Sequence, residues 1–256
     1  MVLASLQRRL LYFPERHELA PATAAARRYG LEPWSADGQF LGWRSPSPAQ
    51  PARAVLLVLH GNAGSALDRT YFRDVFQAAG PVDVVLLEYP GYGPRPGTPS
   101  QESLVTVCSD AVTRLARDGV PVVIVGESLG SAVAALCAAE HPERVAGLVL
   151  VTPLASVTAV AKRHYPFIPG ALVIDAYRAD EALPRYPGPV AFLVARHDEI
   201  VFADLGIALH DARTATKRLW VDDDAGHNTI HYDPRDGKWR EMLRFVLGAS
   251  VARRAK

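Results

Sequence analysis

A doubly wound α/β fold, with a mostly parallel sheet and helices on both faces, is predicted by three features of the sequence. Short runs rich in Val, Ile and Leu alternate with longer segments of helical period. The middle runs are apolar throughout, as strands buried on both faces of a parallel sheet must be. No repeat, low-complexity tract or linker divides the 256 residues, so a single domain with one sizeable core is expected over 1–256.

Strands are expected at 39–43, 54–59, 82–88, 121–125, 148–152, 190–195 and 217–221. Helices are expected at 67–79, 101–117, 129–139, 203–212 and 236–247; the second carries Leu104, Cys108, Ala111 and Leu115 on one stripe. Parallel neighbours need crossover connections, and these helices supply them. Two stretches break the alternation. Tyr89-Pro90-Gly91-Tyr92-Gly93 through Pro99 holds too much Pro and Gly for regular structure. Residues 155–189 include His164-Tyr165-Pro166-Phe167-Ile168-Pro169-Gly170 and a short helical pattern. At about 35 residues, this stretch is expected to form no more than a small cap-like insertion.

A formal net charge of +1, with both signs interspersed, leaves no basic stripe for nucleic acid and no acidic tail for a charged partner. Cys108 and Cys137 lie in apolar helical patterns and read as free core residues, in keeping with a reducing compartment. The segment Met1–Pro14 lacks the layout of a signal peptide, and no run approaches the roughly 18 apolar residues of a membrane helix. Leu3, Leu6 and Leu10 share one side of a short amphipathic helix, expected to pack on the domain. The expected location is cytoplasmic, at most peripheral to a membrane.

Val122–Val125 reads as a strand that runs straight into Gly126-Glu127-Ser128-Leu129-Gly130 and then a helix rich in small residues. A Gly-x-Ser-x-Gly alone arises by chance in roughly one chain in fifteen of this length; the strand-to-helix context is what gives it meaning. A sharp turn there lifts the Ser128 hydroxyl clear of the sheet, and side chains at 126 or 130 would collide with backbone. The following helix aims its amino end at the site, so the N–H of Leu129 is a candidate oxyanion donor.

In folds with this turn, an acid and then a histidine follow later strands. Asp198 follows the strand at 190–195 and is the expected acid, with adjacent Glu199 as the competing choice. His227 follows the last strand, beyond its carboxyl end, where open α/β sheets place their sites. His231 lies four residues further on, but without a Glu after His227 or a third ligand no metal is expected. Asp222–Asp224 read as a solvated loop rather than a calcium site. His60-Gly61-Asn62-Ala63-Gly64 follows the strand at 54–59 and lacks the Lys-Ser/Thr of a phosphate loop. Its Asn62 N–H is the expected second oxyanion donor, with His60 bonding the loop backbone.

Taken together, His60 to Gly64, Tyr89-Pro90-Gly91-Tyr92-Gly93 with Gly97-Thr98-Pro99-Ser100, Gly126 to Gly130, Asp198-Glu199-Ile200-Val201 and Gly226-His227-Asn228 resemble one subfamily of the α/β-hydrolase superfamily. It is the His-Gly-Asn-Ala-Gly type of serine hydrolase, which includes membrane-associated protein depalmitoylases and bacterial esterase-like members. The likeness extends over roughly residues 10–247. It implies a parallel-majority sheet, little or no lid, hydrolysis of carboxylic esters or thioesters, and no cofactor. Two departures stand out. Pro94-Arg95-Pro96 intervenes where the family commonly has Ser before the next Gly. Many members also carry a membrane helix or signal before a Leu-Tyr-Phe-Pro-like start. This chain opens almost at that start, so the anchor is expected to be naturally lacking or removed.

These readings lead to a Ser128–His227–Asp198 triad working through an acyl-enzyme on a small-molecule ester of short to medium acyl chain. Tyr92, Leu154, Tyr165 and Phe167 are the candidate acyl-pocket residues. Acyl-protein or acyl-coenzyme A thioesterase action is the enzymatic alternative. A catalytically silent binding protein on the same fold is the alternative outside catalysis.

Overall fold

The apolar runs can escape water only by lying between two layers of helix, and the amphipathic segments supply those layers. The computed structural model describes residues 2–167 and 169–254; Met1 and Ile168, both within stretches read above, lie outside the described residues. The first half of the chain forms helix α1 (Val2–Leu11), strand β1 (Phe13–Pro14), α2 (Leu19–Arg28), β2 (Glu32–Ala36), β3 (Gln39–Ser45) and β4 (Ala54–Leu59). Next come β5 (Ala63–Gly64), a 3₁₀ turn (Ala66–Arg69), α3 (Thr70–Ala79), β6 (Val82–Leu87) and α4 (Gln101–Leu115). The second half holds β7 (Val122–Glu127), α5 (Leu129–Glu140), β8 (Val145–Val151), α6 (Val157–His164), the single turn α7 (Ala179–Ala182) and β9 (Val190–Ala195). The chain closes with α8 (Ala203–Ala212), β10 (Lys217–Asp222) and α9 (Gly237–Arg254).

Eight strands form one sheet in the order β10-β9-β8-β7-β4-β6-β3-β2. Neighbours from β10 to β6 run parallel, whereas β3 is antiparallel to both β6 and β2. Successive side chains point to opposite faces, so each central strand feeds two cores. Val55, Leu57, Val122 and Ile124 pack under α4 and α5. Leu56, Val58, Val123 and Val125 meet Phe72, Val75 and Phe76 of α3 and Trp239, Met242 and Val246 of α9.

The topology sets the place of the site. From β4 the chain crosses to β6 on one side, then returns to lay β7 on the other side of β4. The loops leaving β4 and β7 therefore depart toward opposite faces and open a crevice at the carboxyl ends of the strands.

Besides the two-residue strands β1 and β5, one strand and one helix were not expected from the sequence. Strand β2 is joined to β3 through Asp37 and Gly38, both at positive φ, with Ala36 opposite Gln39. That is the backbone of a two-residue hairpin turn, and Asp-Gly is its sequence signature. Helix α2 contains Pro21 in its first turn, where the missing N–H has no intrahelical partner to lose. The expected helix at 67–79 divides into the 3₁₀ turn and α3, and the last helix runs on to Arg254. Residues 155–189 carry α6, α7 and two 3₁₀ turns between β8 and β9.

Phe76 is fully buried and meets the Trp239 ring edge-on at 5.6 Å, joining α3 to α9. Phe76→Ala should cost about 3–5 kcal/mol in urea unfolding. A loss below about 1 kcal/mol would show that this face collapses freely around the void.

Candidate active site

Strand β7 passes into α5 without a loop, and the residue between them must reverse direction in one step. Ser128 does so at φ 52° and ψ −120°, a region that costs a non-glycine residue on the order of 1–3 kcal/mol. A Cβ on Gly126 would overlap the Gly130 carbonyl, and one on Gly130 would overlap the carbonyl oxygens of Leu59 and His60. Both positions need glycine for this close approach. The turn is held by the Ser128 N–H donating to Val151 O (3.0 Å) and the Ser131 hydroxyl donating to Ser128 O (2.6 Å).

The loops after β9 and β10 bring two partners to this turn. His227 Nε2 lies 3.0 Å from Ser128 Oγ, and its Nδ1 lies 2.8 Å from Asp198 Oδ2. The other Asp198 oxygen accepts from the N–H groups of Ile200 and Val201, each at 3.0 Å. A carboxylate can only accept, so Nδ1 carries a proton toward Asp198 and Nε2 is left to accept from the Ser128 hydroxyl. Burial alone would raise the Asp198 pKa, but the bond and charge of His227 and the two backbone donors outweigh it and hold the carboxyl below its usual 3.8. Glu199, the competing choice, is exposed.

The loop after β4 is held through three successive carbonyl groups. Tyr89 OH donates to His60 O (3.1 Å), His60 Nδ1 to Gly61 O (2.8 Å), and Tyr92 OH to Asn62 O (2.7 Å). The Phe13 N–H also donates to Asn62 O, and the Asn62 side chain donates to Leu11 O, both at 2.8 Å. The Asn62 N–H shares a peptide plane with Gly61 O and points the opposite way, so the His60 bond fixes its direction. A Cβ on Gly61 would stand 3.5 Å from Ser128 Cβ, so this peptide borders the turn at Ser128.

The four expected pocket residues are not brought together. Tyr92 is fully buried beneath the Asn62 carbonyl with its ring against His60, so it braces the loop and lines no acyl pocket. Leu154 belongs to the core under α5. Tyr165 and Phe167 point outward, 62% and 96% exposed. One residue at the site was missed in the sequence. Glu88, at the end of β6, is fully buried, accepts from the Ala66 N–H (3.0 Å) and faces His60 Nε2 at 3.5 Å. Its position beside the Tyr-Pro-Gly-Tyr segment is the only sequence signal.

His231 is exposed, and no group of three metal-ligating side chains occurs among the described residues. Asp222 pairs with Lys238 and Asp223 with Arg196.

The class follows from the sheet, its switch point and the turn at Ser128: the chain belongs to the α/β hydrolase fold family. A family model described as alpha/beta hydrolase fold matches residues 54–173. The Mycobacterium tuberculosis protein Rv2307c is 34% identical over 264 residues, spanning 98% of this chain and 91% of the relative. Among solved structures, the Pyrococcus furiosus esterase Pf2001 superposes with a TM-score of 0.65 at 18% identity, covering 93% of this chain and 97% of that one. The Paleococcus ferrophilus monoacylglycerol lipase gives a TM-score of 0.62 at 19% identity, covering 80% and 97%. At such identities the likeness is one of fold. Among the described residues no helix is long and apolar enough to cross a membrane.

The lowered Asp198 pKa fixes the sign of a pH effect. Its ionised form stabilises the folded chain above the unfolded value, and that contribution fades as pH falls through the lower folded value. Asp198→Asn should therefore lose stability at pH 7, with the gap to wild type narrowing below about pH 4. Urea unfolding at both pH values tests this; a gap that widens on acidification would contradict it.

Proposed function

We propose that the protein is a serine carboxylesterase in which Ser128 is the nucleophile, His227 the general base and Asp198 the group that orients it. The observation that carries this reading is the unbroken chain of contacts, 3.0 Å and 2.8 Å, ending at a serine held at positive φ. As Ser128 Oγ attacks an ester carbonyl, His227 Nε2 takes its proton, and the Asp198 carboxylate stabilises the imidazolium that forms. The developing oxyanion is met by the N–H groups of Leu129, at the amino end of α5, and of Asn62. Each such donor is worth on the order of 3 kcal/mol in the transition state. The imidazolium returns its proton to the departing alcohol. Water, deprotonated by the same histidine, then attacks the acyl-enzyme and releases the acid.

No cofactor enters these steps. The substrate is a small ester of short to medium acyl chain, a preference supported by an insertion at 155–189 whose Tyr165 and Phe167 face outward rather than roofing a long acyl channel. The chain is read as one catalytic domain carrying that insertion. The superposition on an esterase and a lipase fits the same class.

A fluorophosphonate should label wild-type protein at Ser128, and Ser128→Ala should abolish labelling. Turnover of matched acetyl, butyryl and octanoyl esters should fall by at least about 1,000-fold in that variant without loss of folding. A folded Ser128→Ala protein with wild-type turnover would sink the assignment. A series peaking at long acyl chains would refute the chain-length reading. Thioesters turned over faster than the matched oxygen esters would make the enzyme a thioesterase.

A further inference from the structure

Glu127 precedes the proposed nucleophile, and its side chain collects groups from three of the segments that build the site. Its Oε2 accepts from Arg69 Nε at 2.6 Å, and its Oε1 accepts from the hydroxyls of Tyr71 and Tyr232, both at 2.7 Å. Arg69 also donates through Nη2 to Ala63 O (3.3 Å), the loop that carries Asn62. Tyr232 lies five residues beyond His227, stacked on Trp239 at 5.2 Å and against Tyr71 at 3.9 Å. One carboxylate thus joins the oxyanion loop, the nucleophile turn and the histidine loop.

Fold stability is a poor reason for such a cluster. The Arg69 and Glu127 side chains are only 17% and 15% exposed, and a pair this sheltered gains little over apolar residues of the same size. The neighbours are Phe72 and Trp239, rings that would suit an apolar replacement. What the ion pair adds is direction: a carboxylate with three fixed donors has few orientations open to it. Its local field is strong. Burial alone would lower Arg69, yet Glu127 holds its pKa above the ordinary value. Burial and then Glu127 raise Tyr71, so both phenol and guanidinium remain donors.

We infer that Glu127 is a positioning residue for the proposed hydrolysis, locking the loops of Asn62, Ser128 and His227 into one geometry through Arg69, Tyr71 and Tyr232. This inference rests on the hydrolase reading and extends it, because Glu127 bonds to no member of the triad among the described residues.

The test is turnover per active serine, with the serine counted by fluorophosphonate titration, alongside thermal unfolding. Glu127→Gln keeps the shape but removes the charge that holds Arg69, and its NH₂ must either face the guanidinium or reverse the two tyrosine bonds, so the ties are weakened or turned round. Titrated kcat should fall about tenfold or more, with KM changed less than about threefold. Tyr232→Phe keeps the ring stack and loses one donor, and should lower titrated kcat by about threefold. In the Glu127→Gln background it should cost less than it does alone, because both act through the same side chain. Titrated kcat within about twofold of wild type in Glu127→Gln, even with a lower Tm, would overturn the inference and leave the hydrolase reading standing. Additive losses in the double variant would overturn it too. If Glu127→Gln does not fold, Tyr232→Phe decides: unchanged titrated kcat refutes the positioning role. A wild-type protein that neither labels nor turns over substrate would remove the hydrolase reading, and this inference with it.

Discussion

Between the end of β4 and the turn after β7 there is room for backbone atoms but not for a Cβ at position 130. That clearance is the constraint on which the site depends. It sets the amino end of α5 directly against the carbonyls of Leu59 and His60, so that the loop carrying Asn62 and the turn carrying Ser128 share one wall. It also leaves Ser128 no backbone region but a strained one, since the chain must leave a buried strand and enter a buried helix in a single residue. The strain is offset locally. Ser131 donates to Ser128 O and accepts from the Leu154 N–H (2.8 Å), stapling the first turn of α5 to the segment after β8. The placement of Ser128, the proposed nucleophile, is therefore a consequence of how β4, β7 and β8 pack, with little left to side-chain choice.

The loop opposite is held by another means. It has no strand pairing beyond the two residues of β5, so its direction comes from the donors aimed at the carbonyls of residues 60, 61 and 62. Each such bond is worth only about 0.5–1.5 kcal/mol net. Their effect is orientational: with these carbonyls held by their donors, the intervening N–H groups are turned the opposite way. This accounts for the two buried tyrosines and the buried His60 near Glu88. They form a polar underside that apolar residues of equal volume would not replace.

Much of this was readable in the sequence because it is encoded locally. Apolar runs such as Ala54–Leu59 and Val190–Ala195 carry their burial in their composition, and both span the expected bounds. Ser128, Asp198 and His227 each follow a strand directly, so chain order alone placed them on one edge of the sheet. What was not readable depends on distant partners. Whether Tyr92 faced solvent or the underside of a loop depended on Asn62, thirty residues earlier. Glu88 looked like the end of a strand until Ala66 and His60 closed over it. The β2–β3 hairpin is a different case, since Asp37-Gly38 announced it and the short alternation in β2 was too weak to be counted.

The amino-terminal segment shows how far the support of the site extends. Asp175, in the insertion, accepts from Arg8 Nε and from the Tyr12 hydroxyl, both at 2.9 Å, and Tyr12 meets the Tyr177 hydroxyl at 2.8 Å. Burial, with Tyr177 and Asp175 close by, raises the Tyr12 pKa, so the phenol stays a donor. Gln7 exchanges bonds with Leu172 O and the Ile174 N–H. Helix α1 is thereby fixed to the insertion on one side and, through Leu11 and Phe13, to Asn62 on the other. A fully exposed pair like Arg8–Asp175 would contribute little. Here Asp175 is buried, and withdrawing α1 would take Arg8 away from its charge, a cost that favours keeping the helix docked. The loop carrying Asn62 thus inherits part of its rigidity from an insertion more than a hundred residues away in sequence, with α1 as the connecting strut.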